Sequence, residues 1–274
     1  MDNSEQIEYW NSGAGEVWVA AQQQMDAMLG PLSMALVAKA NVQPGERAID
    51  IGCGCGDTSI ALAQQGASVW GVDISEPMLD IAKQRATGLG SVAFSQTDAA
   101  TQSYTPDHDL VLSRFGVMFF ADPIAAFTQI RTALSDSGRM VFLCWQAPKH
   151  NDWMSVVGRA VQPFMPAVGA PDNPKGPGPF AFADADWLRE ILVSAEFNEI
   201  EIEPLKRELT LGRNLDEAIL FQGKVGPLAR GLAELDEATK KQALGAAREA
   251  LTPYLSEAGV RLGAACWLVS ARRS

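Results

Sequence analysis

Basic residues are scarce. Lys and Arg number 22 against 33 Asp and Glu, a formal net charge of −11 in 274 residues. So acidic a surface repels phosphate backbones and anionic headgroups, which argues against nucleic acid and membrane as partners. No Lys or Arg precedes Lys39, so the basic start of a targeting peptide is missing and a cytoplasmic protein is expected. The longest uncharged run, Thr58 to Val72, is too short and too polar to span a bilayer. The four cysteines (Cys53, Cys55, Cys144, Cys266) form no paired CxxC units, which suggests neither a zinc site nor a disulfide framework and fits reduced intracellular thiols. No internal repeat is present.

A composition of 47% hydrophobic and 20% charged residues is globular. At roughly 150 residues per domain, the expectation is one large domain or one domain with an insertion. From Arg47 onward, short apolar runs alternate with helix-like segments. Candidate strands are 47–51, 68–72, 91–95, 109–113 and 139–145, each near-continuously hydrophobic, as strands covered on both faces must be. Helices are expected at 57–65, 76–87 and 122–134, punctuated by Gly66, by Glu76 with Pro77, and by Asp122 with Pro123. Such alternation gives a parallel sheet with right-handed crossovers.

Outside that core, residues 14–40 read as one or two amphipathic helices broken at Gly30 and Pro31. Residues 1–43 would form an N-terminal helical cover, 44–145 the core and 146–183 a lid containing the proline-rich run 171–179. The C-terminal part, 184–274, would hold a helix at 184–196, a strand at 198–203, a helical insertion at 214–256 and a last strand at 260–270.

The most informative segment is Asp50-Ile51-Gly52-Cys53-Gly54-Cys55-Gly56-Asp57, at the carboxyl end of the first strand. Three alternate glycines allow a sharp turn and close approach of backbone to ligand. A phosphate cradle needs a free helix N-terminus, yet Asp50 and Asp57 flank this one. GxGxG also differs from the dinucleotide fingerprint GxGxxG. A ligand without phosphate, carrying positive charge, is preferred. The second strand ends at Asp73, placed to accept from vicinal ribose hydroxyls. The third runs into Thr97-Asp98-Ala99, where Asp98 can accept from an exocyclic amine such as that of adenine.

Residues 44–145 resemble the core of class I S-adenosylmethionine-dependent methyltransferases, close to the ubiquinone/menaquinone-biosynthesis-like small-molecule branch. The resemblance rests on AIDIGCGCG at 48–56, on Asp73 and on Asp98 with Ala99. It implies a Rossmann-like, doubly wound α/β fold with a seven-stranded sheet whose last strand is antiparallel. It further implies a cofactor site of Asp50, Gly52, Cys53, Gly54, Gly56, Asp73, Ile74, Met78, Asp98, Ala99 and Ser113. Within that site the three loop glycines would lie against the methionine part, Asp50 would neutralise its ammonium, and Met78 would pack near adenine or ribose. S-adenosylhomocysteine would be the product. Two departures stand out: Ser135-Asp136-Ser137-Gly138 replaces the usual Pro-Gly-Gly turn, and the quinone enzymes' characteristic segments are missing, which puts a quinone substrate in doubt.

The acceptor should meet the loops after strands four and five. These carry Phe115, Met118, Phe119, Phe120, Trp145, Trp153, Met154, Phe164 and Met165, so a small apolar or aromatic acceptor is expected. His108 falls at the wrong end of the sheet for a base. His150, following the fifth strand, is the candidate general base, and Arg114 a candidate catalytic group or a structural ion pair. Trp10 and Trp18 could form a flap over the cofactor or anchor a helix. Two alternatives remain open at this stage: a catalytically silent cofactor-binding scaffold acting through residues 214–256, and a nicotinamide oxidoreductase. A homodimer is also left open.

Overall fold

The computed structural model describes residues 3–165, 173, 175–224, 229, 231–232 and 234–274. Eight strands form one sheet: β1 (Arg47–Ile51), β2 (Ser68–Asp73), β3 (Val92–Gln96), β4 (His108–Arg114), β5 (Leu134–Trp145), β6 (Asn198–Gly212), β7 (Leu255–Ser256) and β8 (Gly259–Arg272). The order is β3-β2-β1-β4-β5-β8-β6, with the two-residue β7 paired only to β8. β1 to β5 are parallel, and β8 inserts antiparallel between β5 and β6. The seven-stranded path with its antiparallel last strand is the one the resemblance implies.

Ten helices accompany the sheet among the described residues: α1 (Ser4–Asn11), α2 (Gly13–Ala20), α3 (Gln22–Ala40), α4 (Asp57–Gln64), α5 (Glu76–Arg85), α6 (Pro123–Arg131), α7 (Asp152–Val161), α8 (Ala185–Ser194), α9 (Leu215–Gln222) and α10 (Glu237–Leu251). β1, β4 and the second half of β5 are buried along nearly their whole length because helices cover the sheet. α3 packs across β4, β5 and β6, and α8 packs against β6 and α6.

Several elements depart from the sequence-based reading. α3 runs unbroken through Gly30 and Pro31. Its inward stripe of Met25, Met28, Leu29, Leu32, Leu36, Val37 and Ala40 is buried, and that burial outweighs one lost backbone hydrogen bond. The expected lid contains α7, and Trp153, Val156, Val157 and Val161 of that helix are buried with α10 packed alongside. Among its described residues the helical insertion holds α9 and α10, the latter ending at Leu251 and followed by a turn and β7. β6 extends to Gly212, well past residue 203, as an edge strand whose charged side chains face solvent. Residues 166–172 and 174 of the lid, and 225–228, 230 and 233 of the insertion, lie outside the described residues.

The sheet order reverses between β1 and β4, which flank each other with β2 beyond one and β5 beyond the other. Loops leaving their carboxyl ends diverge there and open a crevice, the position where open α/β sheets take ligands.

Candidate functional site

A cavity of roughly 200 Å³ lies at that crevice. One end is formed by the glycine loop, Asp73, Ile74, Met78, Asp98 and Ala99, the other by aromatic and methionine side chains.

The glycine loop is shaped by backbone geometry that side chains resist. Gly52, Gly54 and Gly56 all have positive φ, at 64°, 53° and 81°. A Cβ on Gly54 would also fall 2.8 Å from Met78 Cε. Gly52 and Cys53 donate their N–H groups to the Val72 carbonyl, binding the loop to the end of β2.

Asp73 lines the cavity with its carboxylate already oriented: Oδ2 accepts from Gly54 N at 2.8 Å and Oδ1 from Ser75 N at 2.9 Å. A carboxylate offers about four acceptor positions, so about two remain for a ligand. Burial raises its pKa, opposed by the backbone donors. Asp98 Oδ1 accepts from Ala100 N at 3.0 Å and from Asn3 Nδ2 at 2.8 Å. Asn3 Oδ1 in turn accepts from Ala121 N at 3.0 Å, so the chain's start is strapped over the third strand's end.

Of the residues expected to hold the cofactor, Gly52, Cys53, Gly54, Asp73, Ile74, Met78, Asp98 and Ala99 line the cavity, and Arg114 does so as well. Four others do not. Asp50 is fully buried, with Oδ2 accepting from Thr58 Oγ1 at 2.7 Å and Ser59 Oγ at 2.6 Å, while Oδ1 has no partner. Burial pushes its carboxyl up to about 6. Gly56 packs beneath the loop against Ala82 and Phe94. Ser113 donates to the Ile51 carbonyl at 2.7 Å and accepts from Gly116 N, joining β4 to β1.

His150, the expected base, sits on a short turn (Pro148–His150) beside a separate surface hollow with Lys149, Lys206 and Arg207. The chain after β5 turns away from the cavity before α7 begins, so proximity to the strand end did not translate into proximity to the site.

The charge argument also needs correction. Asp57 does not face the cavity: it accepts from Arg114 Nη1 at 2.7 Å and lies 3.9 Å from Arg85. It is neutralised, so the Asp50–Asp57 pair cannot be what repels a diphosphate. Cys53 and Cys55 line the wall as protonated thiols, because burial drives Cys53 well up and Cys55 up to about 11.

The opposite end of the cavity is apolar. Phe115 stacks on Trp145 at 4.1 Å and 6°, and Trp145 meets Trp153 at 5.2 Å. Phe115 holds φ at 65°, a left-handed backbone that costs roughly 1 to 3 kcal/mol for a bulky residue and is tolerated mostly at functional sites. Trp10 packs edge-on against Phe119 and Trp18. Phe164 and Met165, expected here, do not reach the wall, whereas Met118, Phe119, Phe120 and Met154 do.

Residues not anticipated include Asn3, Gln6, Met25, Asp26, Met28, Leu29, Pro179 and Phe221. Those from α3 had one signal available, the amphipathic stripe read at 14–40; Gln6 of α1 and Phe221 had none.

Residues 48–138 match the family described as a methyltransferase domain. An uncharacterized protein of Mycobacterium tuberculosis is 27% identical over 171 residues, covering 62% of this chain and 58% of its own length. Demethylmenaquinone methyltransferase of Clavibacter sepedonicus is 32% identical over 125 residues, 45% of this chain and 49% of that enzyme. The chain thus spans little more than half the length of the first curated relatives it matches. The solved structure of the YcgJ protein from Bacillus subtilis has the same fold, with a TM-score of 0.58 at 16% identity over 89% of this chain and 98% of that one. Residues 48–138, which carry the glycine loop, Asp73 and Asp98, thus match a methyltransferase domain, and the sheet around them has the fold of that solved structure. Among the described residues, no helix is long and apolar enough to cross a membrane.

Proposed function

We propose that this protein transfers the methyl group of S-adenosylmethionine to a small, apolar or aromatic molecule. The observation that carries the reading is one cavity with two unlike ends: a preoriented Asp73 beside the glycine loop, and an aromatic wall of Phe115, Trp145 and Trp153.

The residues present fit the cofactor. Asp73 has acceptor capacity left for two ribose hydroxyls, and Asp98 stands at the end of β3 for an exocyclic amine. The loop glycines leave the floor free of side chains, and Met78 closes over Gly54. A bound sulfonium supplies an activated methyl group, so the chain's contribution is to align two reactants and exclude water. Such alignment can supply about 7 to 11 kcal/mol.

The aromatic wall would hold a flat acceptor, and the methionines Met25, Met28, Met118 and Met154 would adapt to its outline. No histidine, lysine or tyrosine lines the cavity among the described residues. That supports an acceptor that is a good nucleophile without a protein base, or one that enters as an anion.

Equilibrium binding of S-adenosylmethionine, followed by S-adenosylhomocysteine formation with a panel of phenols, thiols, amines and quinols, tests the proposal. Binding with turnover of an apolar aromatic is the expected result. Binding without turnover on any acceptor would leave a cofactor-binding scaffold, and absence of binding would remove the reading.

A further inference from the structure

The glycine-loop end of the cavity carries two charges that the nucleoside motifs leave unexplained. Asp26 of α3 and Arg114 at the end of β4 both line it, with side chains 21% and 12% exposed. Each is held from behind by a group of opposite sign. Arg85 of α5 donates 2.7 Å bonds to Asp26 Oδ2 and to the Cys55 carbonyl, and Gln22 donates to the same Asp26 oxygen. Arg114 Nη1 donates to Asp57 Oδ2 at 2.7 Å and to Ser33 Oγ at 2.6 Å.

These bonds leave one edge of each group unused. Among the described residues Asp26 Oδ1 accepts no hydrogen bond, and Arg114 Nε and Nη2 donate none. A half-buried carboxylate and guanidinium with unspent capacity are costly unless something completes them. The four charges of Asp26, Asp57, Arg85 and Arg114 already cancel, so a ligand end that carries one cation and one anion adds no net charge. Asp50, the acid expected to meet an ammonium, is committed to Thr58 and Ser59 and lies off the wall.

We propose that Asp26 and Arg114 form a zwitterion clamp: the free Asp26 oxygen takes the α-ammonium, and the outer guanidinium edge of Arg114 the α-carboxylate, of the cofactor's amino-acid end. This rests on the cofactor reading above. The clamp fixes the amino-acid tail on α3 and β4 while Asp73 and Asp98 hold the nucleoside. Arg85 and Asp57 are positioning residues that act through it.

The test is calorimetric binding of four probes to the full chain: S-adenosylhomocysteine, its decarboxylated analogue, its deaminated analogue, and methylthioadenosine, which lacks both groups. Wild-type protein should bind each of the three truncated probes at least tenfold more weakly than S-adenosylhomocysteine. Asp26→Asn should weaken S-adenosylhomocysteine at least tenfold, leave methylthioadenosine within twofold, and be partly rescued by Asp26→Glu. Truncated probes that bind wild-type protein as tightly as the complete one overturn the clamp, whatever the variants' folding. So does an equal loss of both nucleosides in Asp26→Asn, which would mark a structural role. If wild-type protein binds none of the four, the cofactor reading fails and takes the clamp with it.

Discussion

Gly52 and Gly116 touch backbone to backbone: a Cβ added to Gly52 would lie 2.7 Å from Gly116 Cα, and one on Gly116 would lie 2.7 Å from the Ile51 carbonyl oxygen. The contact seals the floor of the cavity at the point where strand order reverses. Gly116 has φ −78° and ψ −40°, open to any residue, so alanine there meets crowding alone. Gly116→Ala should cost about 1 to 3 kcal/mol through overpacking. For a chain of this size that is a fall of roughly 2 to 10 °C in Tm, read by thermal unfolding. A variant that melts with the wild type would show that the two loops can part freely.

Asp73 holds Gly54 and Ser75 by their N–H groups and faces the cavity. Asp73→Ala removes charge-assisted bonds worth about 1.5 to 3 kcal/mol, equivalent to a loss of roughly 10- to 150-fold in nucleoside affinity. Titration with S-adenosylhomocysteine measures it, and a change under threefold would place the ribose elsewhere.

Asp50 makes stability depend on pH in an unusual direction. Burial raises its carboxyl from an ordinary 3.8 to about 6 in the folded protein. Between about pH 4 and 6 the folded state therefore binds more protons than the unfolded one, and this group's contribution falls as pH rises through that window. A shift of about two pH units corresponds to roughly 3 kcal/mol. Denaturant unfolding of wild type and Asp50→Asn at pH 4.5 and 7 should show the variant gaining relative stability at the higher pH. A constant difference between them would contradict the raised value.

His150 lies in a hollow apart from the cavity. His150→Ala should leave kcat and KM within twofold once an acceptor is in hand. A loss of a hundredfold in kcat would restore it as the base and require the turn Pro148–His150 to move.

Much of the glycine-loop end of the cavity was legible along the chain because its parts follow strand ends. Strands β1 to β5 announce themselves as short apolar runs, and Gly52, Gly54, Asp73 and Asp98 come directly after them. Asp26 was invisible for the opposite reason: it projects from a helix that precedes β1 by several residues and reaches the loop only when α3 packs across the sheet. Asp57 and Ser113 misled because position beside a motif says nothing of where a side chain turns. Asp57 turns to Arg114, and Ser113 to a backbone carbonyl.

Hydrophobic period, glycine spacing and acids at strand ends are local properties; they specified a parallel sheet crossed by helices and pointed to a ligand at its carboxyl edge, while the seven-stranded Rossmann-like form was implied by the family resemblance. Which charges pair, which aromatics wall the second half of the cavity, and that α3 continues through Pro31 were decided by packing between segments far apart in the chain. Burial against a distant surface overrides a single proline or a neighbouring motif, since apolar contact over several turns outweighs one backbone hydrogen bond.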